Sequence, residues 1–563
     1  MNPLGVAAAN KLWVASCRAE WRRFQRALGR VKETQTGLLK GYLAANGDTD
    51  YGRRYNFAAL DSIEAFQASA PLTSYDDYAE PIDAIGRGRR GVLTAQPVRM
   101  FELSSGSTAP SKLIPYTASL KSEFQRGLAP WIYDLYTREP QLKNGPAYWS
   151  ITPLTDVPRT TPGGIPVGFE ADSAYLGAVG QRLVESVLAV PSAVKHIRGA
   201  DGAAFRYVSL LFLLRQPELR LISIWHPTFL NLLLAPLPEW WPALLDDIAR
   251  GTLTPPAPLG AGLRRALLPR LRPNPRRAEE LAAIEPRDTL AIWPGLRLLS
   301  CWADGSAAGY AQTLSQAHFP GVRLQPKGLL ATEAFVSFPL GGEHVLAVTA
   351  HFFEFLPLDG DLEPAADSPR LAHQLERGRA YAVVVTTGGG FYRYALHDIV
   401  EVVGHLGQAP CLRFVGKTDL VSDWFGEKLN ERFVAQVLET VCRRGGLSPR
   451  FSLLAPDETA GSPRYTLYLE LVPGQRANDA APAAQDDLER LLCENFHYAY
   501  CRRLGQLAPA RVIFTPPGAA ERYLAACQAR GQRLGNIKPA LLQKTSGWDR
   551  WLAKPAEEGA VVL

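Results

Sequence analysis

Apolar positions along the first fifty residues recur at helical spacing, with Leu38, Leu39, Tyr42 and Leu43 on one stripe and Asn46-Gly47 as a stop signal. This pattern predicts a helix over residues 8–45. The middle of the chain then alternates short β-like runs with helical ones. Strands are expected at 98–103, 147–152, 221–225 and 345–352, and helices at 119–135 and 207–214, an alternation that argues an α/β architecture. Pro and Arg crowd residues 253–287, which reads as a surface excursion around short helices. From residue 381 the pattern turns β-rich, at 381–387, 391–394 and 399–403, and Gly388-Gly389-Gly390 punctuates it. That suggests a small barrel or hairpin stack.

A strand at 412–415 runs into Gly416-Lys417-Thr418-Asp419, a polar turn suited to a hinge. Beyond it a helix is expected near 430–443, strands at 451–454 and 465–471, a loose loop at 474–485, a helix at 486–504, a strand at 511–514 and a helix near 519–530. The expected fold class is therefore α/β. A large N-terminal domain of α/β subdomains and a small β-barrel spans 1–415, a hinge 416–420, and a small mobile α+β C-terminal cap 421–563. A chain of 563 residues is too long for one ordinary core, which agrees with that division.

Composition narrows the classes. Hydrophobic residues at 47% and charged residues at 21% are those of a folded, water-soluble chain. Lys and Arg exceed Asp and Glu by only 61 to 55, which welcomes small anions without building a nucleic-acid surface. The most apolar stretch, 207–234, is broken by Arg215, Glu218 and Arg220, so no membrane span is expected. The amino terminus has charges among its apolar residues and lacks a clean secretory core. Seven scattered cysteines without C-x-x-C spacing indicate neither a zinc site nor a disulfide framework, and a cytoplasmic home is expected.

Five segments could carry chemistry. Ser104-Ser105-Gly106-Ser107-Thr108-Ala109-Pro110-Ser111-Lys112 follows a strand and offers hydroxyls, backbone N–H groups and a cation to phosphate oxygens, although such a loop is also a plain surface turn. Gly328-Leu329-Leu330-Ala331-Thr332-Glu333-Ala334 sets a glutamate between apolar runs, where Mg²⁺ or a nearby arginine would relieve its charge. In the stretch 386–398, Asp398 could accept from ribose hydroxyls and the aromatic residues could meet an adenine. The glycines there equally mean a tight turn, and the Tyr/Phe alternation a core strand. The hinge leads to Gly426-Glu427-Lys428-Leu429-Asn430, and Gly535-Asn536-Ile537-Lys538-Pro539 lies near the carboxyl end. A cap lysine could swing onto a carboxylate–phosphate centre.

In this order the five segments resemble the adenylate-forming superfamily, and within it the auxin-responsive acyl-acid amido synthetases of the Gretchen Hagen family. The resemblance covers nearly the whole chain. His351-Phe352-Phe353-Glu354-Phe355-Leu356-Pro357 and the stretch 386–398 are particular to that branch, and the spelling from Lys327 to Glu333 is closer to its bacterial members. The resemblance implies ATP and Mg²⁺ as cofactors and a two-step reaction: a carboxylic acid becomes acyl-AMP, then an amine or amino acid takes the acyl group. It implies that Ser104, Ser105, Gly106, Ser107, Thr108 and Lys112 cradle phosphates, that Thr332 and Glu333 serve the acyl phosphate and the metal, and that Tyr392, Asp398 and Lys417 hold the nucleotide. Lys428 and Lys538 would act from the cap.

Three departures, Ala109-Pro110, Tyr116 and His397, bear on the substrate more than on the chemistry. The acid pocket is expected where the helix around 205–214 faces the motifs, with Ser223, Trp225, His226 and Phe229 on its wall. An acyl-CoA or carrier-protein ligase would use the same motifs with a thiol acceptor. A scaffold that binds nucleotide without turnover is a rival of another class, against which Lys112, Glu333, Asp398 and Lys538 argue. A monomer is expected.

Overall fold

The structure is a computed structural model; it describes residues 3–103, 112–151, 159–168, 183–197, 202–358, 368–418, 421–422, 424–425, 427–458, 463–475, 481–530, 532, 537 and 540–553. The single amino-terminal helix expected from periodicity is three: Pro3–Ser16, Arg18–Ala27 and Val31–Asn46. Gly29 weakens the helix at the last break, and Arg30 leaves the helical region there (φ −145°, ψ 48°). The break is satisfied from afar. The Gln408 N–H donates to Leu28 O at 2.7 Å, and the Gln408 side chain accepts from Val31 N at 3.1 Å.

Helix Val31–Asn46 buries Leu39, Tyr42 and Leu43 against a seven-stranded antiparallel sheet. Its order is Arg370–Leu371, Phe352–Pro357, Ala380–Thr386, Tyr394–Leu406, Ala409–Lys417, Glu343–Leu346 and Ser337–Leu340. The order runs from edge to edge with no closing pair among the described residues, so the expected barrel is an open sheet. The strand expected at 345–352 is interrupted, ending at Leu346 and resuming at Phe352. Buried Gln35 fills the gap, donating to Val348 O and His351 O at 2.8 Å each and accepting from Phe353 N at 2.8 Å. One amide thus replaces three ladder bonds in a place that water does not reach.

A second layer is a parallel sheet in the order Ala147–Trp149, Leu221–Ser223, Leu298–Cys301 and Arg323–Pro326. One face, with Tyr148, Ile222 and Leu299, packs on the helices Ala203–Leu214, Pro227–Leu234 and Leu237–Arg250. The other face, with Ala147, Leu221 and Leu298, joins the main core together with residues of helix Ala118–Arg138. The strand Met100–Leu103 belongs to a small sheet with Leu113–Tyr116, Pro166–Val167 and Arg159–Thr160.

After Lys417 the chain forms the hairpin of Val421–Ser422 with Leu429–Asn430, then a three-stranded sheet of Pro449–Asp457, Arg464–Leu471 and Arg511–Phe514 with its own apolar clusters. The helix expected at 486–504 is two, Ala481–Leu492 and Phe496–Arg503. Asn495 starts the second by accepting from Tyr498 N at 3.0 Å, and the expected loop correspondingly ends before Ala481. Among the described residues no helix is long and apolar enough to cross a membrane.

Candidate active site

The segment carrying Thr332 and Glu333 folds back on itself. Leu330 bridges Phe335, and Ala331 N donates to Ala334 O at 2.9 Å, so the two polar residues stand at the tip of a tight turn. The turn is tied to the strand that follows the expected phosphate loop, because the Tyr116 hydroxyl donates to Thr332 O at 2.7 Å. At the start of that strand Lys112 Nζ lies 5.4 Å from the centre of the Tyr75 ring, and Leu113 N donates to the Tyr75 hydroxyl at 2.7 Å. Tyr75, which the motif reading passed over, therefore orients the lysine. Residues 104–108, five of the expected phosphate contacts, lie outside the described residues.

Asp398 and Lys417 are partners on neighbouring strands, with Nζ 3.1 Å from Oδ1. Burial raises the Glu333 pKa. Its own backbone N–H, Lys417 and Lys112 pull it down, while Asp398 pushes it up, and the balance stays above the ordinary carboxylate value. Lys112, Glu333, Asp398 and Lys417 therefore share one electrostatic neighbourhood, in which burial outweighs the two lysines at Glu333.

His397, one of the departures, has a left-handed backbone (φ 63°). Such a conformation costs a residue with a Cβ roughly 1–2 kcal/mol. Thr418 holds it there: its N–H donates to His397 O at 2.8 Å, and its hydroxyl lies 3.1 Å from Nδ1.

Much of the stretch 386–398 is scaffold. Tyr392 does not line the cleft: it is fully buried, stacks on Tyr51 with centroids 4.8 Å apart and donates its hydroxyl to Leu93 O at 2.8 Å. The alternation that could have offered an aromatic face to adenine is a core pattern. Arg393, also left-handed (φ 49°), pairs with buried Glu354 through Nε at 3.1–3.2 Å. Gly388 approaches helix Ala118–Arg138 so closely that a Cβ would lie 2.2 Å from Glu123 Oε1. Its N–H donates to both Glu123 oxygens at 3.0 Å, and His351 Nδ1 meets the same carboxylate at 2.8 Å. His351 Nε2 accepts from Phe335 N at 2.9 Å, so the ring hydrogen sits on Nδ1. Burial alone would raise the Glu123 pKa, but His351, Arg126 and the Gly388 N–H hold it below the usual value. Glu123 thus joins the glycine turn to Phe335, beside the Glu333 turn.

The expected acid-pocket residues separate. Ser223 is buried at the carboxyl end of its strand, and Trp225 follows two residues on with its ring 4.3 Å from Lys327 Nζ. His226 is a helix cap, its Nδ1 2.8 Å from Thr228 Oγ1 and accepting from Thr228 N at 3.3 Å. Phe229 lies partly exposed on the helix so capped. Helix Ala203–Leu214 packs in the second core, on the opposite sheet face from Ser223, because neighbouring strand residues alternate sides. Sequence reading missed Trp131, Trp149, Ser300 and Gln325 and quoted Lys327 without a role. The signal available was parity, since 149, 223 and 325 share one sheet face and 225 and 327 follow their strands at the same two-residue spacing.

Of the cap residues, Lys428 is exposed on a turn with φ 44°, and among the described residues no ion pair joins it to Glu333 or Asp398. Beside it Glu427 is fully buried, accepting from Trp424 N and Phe425 N at 2.8 Å. Lys538 lies outside the described residues. Gly416 and Lys417, expected in a hinge, continue the strand as partners of Ile399 and Asp398.

The whole arrangement has the fold of known acyl-acid-handling proteins. The solved structure of GH3.15 acyl acid amido synthetase matches with a TM-score of 0.79 at 20% identity, covering 93% of each chain. A structure of AtGH3.15 acyl acid amido synthetase in complex with 2,4-DB matches at 0.81 and 20% identity, covering 94% and 95%. Three family models match in order: the GH3 family N-terminal domain over 20–324, the central domain over 344–417 and the C-terminal domain over 432–547. The chain belongs to the GH3 family. Indole-3-acetic acid-amido synthetase GH3.8 of Oryza sativa subsp. indica is 26% identical over 542 residues, 90% of this chain and 87% of the relative. The putative indole-3-acetic acid-amido synthetase GH3.9 of Arabidopsis thaliana is 26% identical over 563 residues, 92% of each.

Proposed function

We propose that the chain is an ATP-dependent acyl-acid amido synthetase. The observation that carries this reading is the convergence of Lys112, the Thr332–Glu333 turn and the Asp398–Lys417 pair. Such a set suits a nucleotide triphosphate: cations for phosphates, a carboxylate for a divalent ion and an aspartate for ribose hydroxyls. Mg²⁺ fits Glu333, a carboxylate at the tip of the turn near Asp398. No cluster of three His, Cys, Asp or Glu side chains occurs among the described residues, so Glu333 would hold the ion together with phosphate oxygens. When bound, the ion neutralises phosphate charge.

In the first step a carboxylate oxygen of the acid attacks the α-phosphorus, and the bond to pyrophosphate breaks. Lys112 and the Thr332 turn hold the reacting groups together, and Asp398 fixes the ribose. In the second, an amine nitrogen attacks the acyl carbon, the bond to AMP breaks and the nitrogen loses a proton to solvent. The cap, residues 421–563, brings Lys538 to the nucleotide for the first step and turns about the segment after Thr418 for the second. Seven free cysteines, six of them buried, suit a reducing compartment, and we place the protein in the cytoplasm as a monomer.

The test is a panel of acids with amino acids or with CoA, read by mass spectrometry. AMP together with an amide is the expected result. AMP with a thioester and no amide would reassign the acceptor, and no AMP with any acid would end the proposal.

A further inference from the structure

Asp398 and Lys417 face each other as ladder partners near one end of the antiparallel pair Tyr394–Leu406 and Ala409–Lys417. One rung further on stand His397 and Thr418, after which the chain leaves this sheet for the cap hairpin that begins at Val421. That last rung is fastened twice. The Thr418 N–H donates to His397 O at 2.8 Å, and the Thr418 hydroxyl meets the imidazole at Nδ1, 3.1 Å away. The second contact joins side chains, so it depends on the two residue types and not on the ladder.

The histidine that makes this contact is held at φ 63°, where glycine is at ease and asparagine is tolerated. A residue kept in such a conformation has surroundings that over-determine it. Half-buried, the ring is no core filler. Its position gives it a use. On one side lies Asp398, 3% exposed, with Lys417 Nζ 3.1 Å from its Oδ1. On the other lies the cap, whose displacement travels along the backbone and reaches Thr418 before Lys417. A rung closed by one hydrogen bond at the end of a strand frays easily, and the pair that fixes Asp398 would be the next to open. A rung closed by two resists, and the displacement stops at Thr418.

We propose that His397 is a positioning residue: its clasp with Thr418 keeps Asp398 on the ribose while the cap turns, so that the acyl adenylate stays bound between the two steps. The inference rests on the amido synthetase reading and adds to it a residue that guards the intermediate. An adenylate released early is lost to water. A water oxygen attacks the acyl carbon, the bond to AMP breaks, a proton leaves to solvent, and acid and AMP are returned with no amide formed.

The experiment uses the full-length protein and two readouts. Dissociation of preloaded etheno-AMP, whose ribose is unmodified, is followed by fluorescence, and AMP formed per amide is measured with an acid and amine that turn over. Glycine takes φ 63° without strain, so His397→Gly removes the ring and keeps the backbone bond. It should release etheno-AMP about three- to tenfold faster, the range that one hydrogen bond commands, and should form more AMP per amide than the wild type. Thr418→Val should do the same, and the double variant should be no worse than either single one, because all three lack the same contact. His397→Asn, which suits the backbone and carries a polar δ atom, should restore retention, as should Thr418→Ser. Wild-type release by His397→Gly, or losses that add in the double variant, overturns the inference. So does an unchanged ratio of AMP to amide in a variant that releases etheno-AMP faster. Faster, non-additive release by a protein that forms AMP from no acid would keep the clasp at a nucleotide site and remove the synthetase reading instead.

Discussion

At the scale of single residues, Asp398 carries two relations at once. It is nearly fully buried, paired to Lys417, and follows a residue held in a left-handed conformation by Thr418. Its orientation is therefore set before any ligand arrives, which lowers the ordering cost of binding a ribose. Asp398→Ala should weaken ATP binding by about 1.5–3 kcal/mol, the usual worth of hydrogen bonds to a charged acceptor, while circular dichroism shows the fold retained. Nucleotide titration decides it, and unchanged affinity would take Asp398 out of the site. Glu333→Gln keeps the volume and removes the charge. Acid-dependent pyrophosphate exchange should fall by one to several orders of magnitude, roughly the range of a lost metal contact, and should recover in part with added Mg²⁺. Full exchange at low Mg²⁺ would make Glu333 a structural carboxylate.

At the scale of elements, the buried Glu123–His351 pair and the Gly388 turn form one unit joining helix Ala118–Arg138 to the seven-stranded sheet. Because the Glu123 pKa lies below its ordinary value, its stabilising contribution is present above the unfolded carboxylate range and is lost as pH falls through the folded value. Glu123→Gln should cost about 1.5–3 kcal/mol at pH 7, the usual worth of hydrogen bonds to a buried charged acceptor. Urea unfolding should show wild type and variant converging as pH drops toward 3, and a gap independent of pH would refute the ionised assignment.

The element scale also shows what the sequence made legible. Strand periodicity located most elements, and motif order picked out Lys112, Glu333, Asp398 and Lys417, which the structure brings near one another, because each sits in a segment with a local signature. The breaks at residues 28–30 and 347–351 were hidden, since Gln408 and Gln35 satisfy them from more than 300 positions away. Tyr392 misled for the opposite reason: a core aromatic and one that stacks on a base look identical in one dimension. Lys327 was visible as a letter, but its indole surroundings come from one helix and two strand ends.

At the scale of the molecule, the question is where the cap can turn. Gly416, Lys417 and Thr418 are all tied to the strand around Asp398, so the proposed rotation would have to begin beyond Thr418. Asp419→Pro would fix φ there and restrict Thr418 as well, and should depress adenylation and amide formation unequally. Lys538→Ala should harm mainly adenylation, by the charge it brings to the nucleotide. Pyrophosphate exchange and the reaction of amine with preloaded acyl-AMP separate the steps. Equal losses for Asp419→Pro with wild-type rates for Lys538→Ala would make the carboxyl-terminal part a static lid.

The polar row of Ser223, Ser300 and Gln325 across the parallel sheet bears on how the chain reaches its fold. Slipping the strand that carries Ser300 or Gln325, which bond each other across the sheet, by a single position would drive that residue into the apolar cluster around Ile222 and Leu299 and turn aliphatic residues toward Trp131. Each misregistered arrangement would bury hydroxyl or amide groups without partners, at about 1–3 kcal/mol apiece. Parallel pairing is slow to assemble because its contacts are distant in sequence, and it is exposed to such errors while it forms. These polar side chains thus act as proofreaders of strand alignment, and replacing several of them with aliphatic residues at once should lower refolding yield even where the native state gains stability.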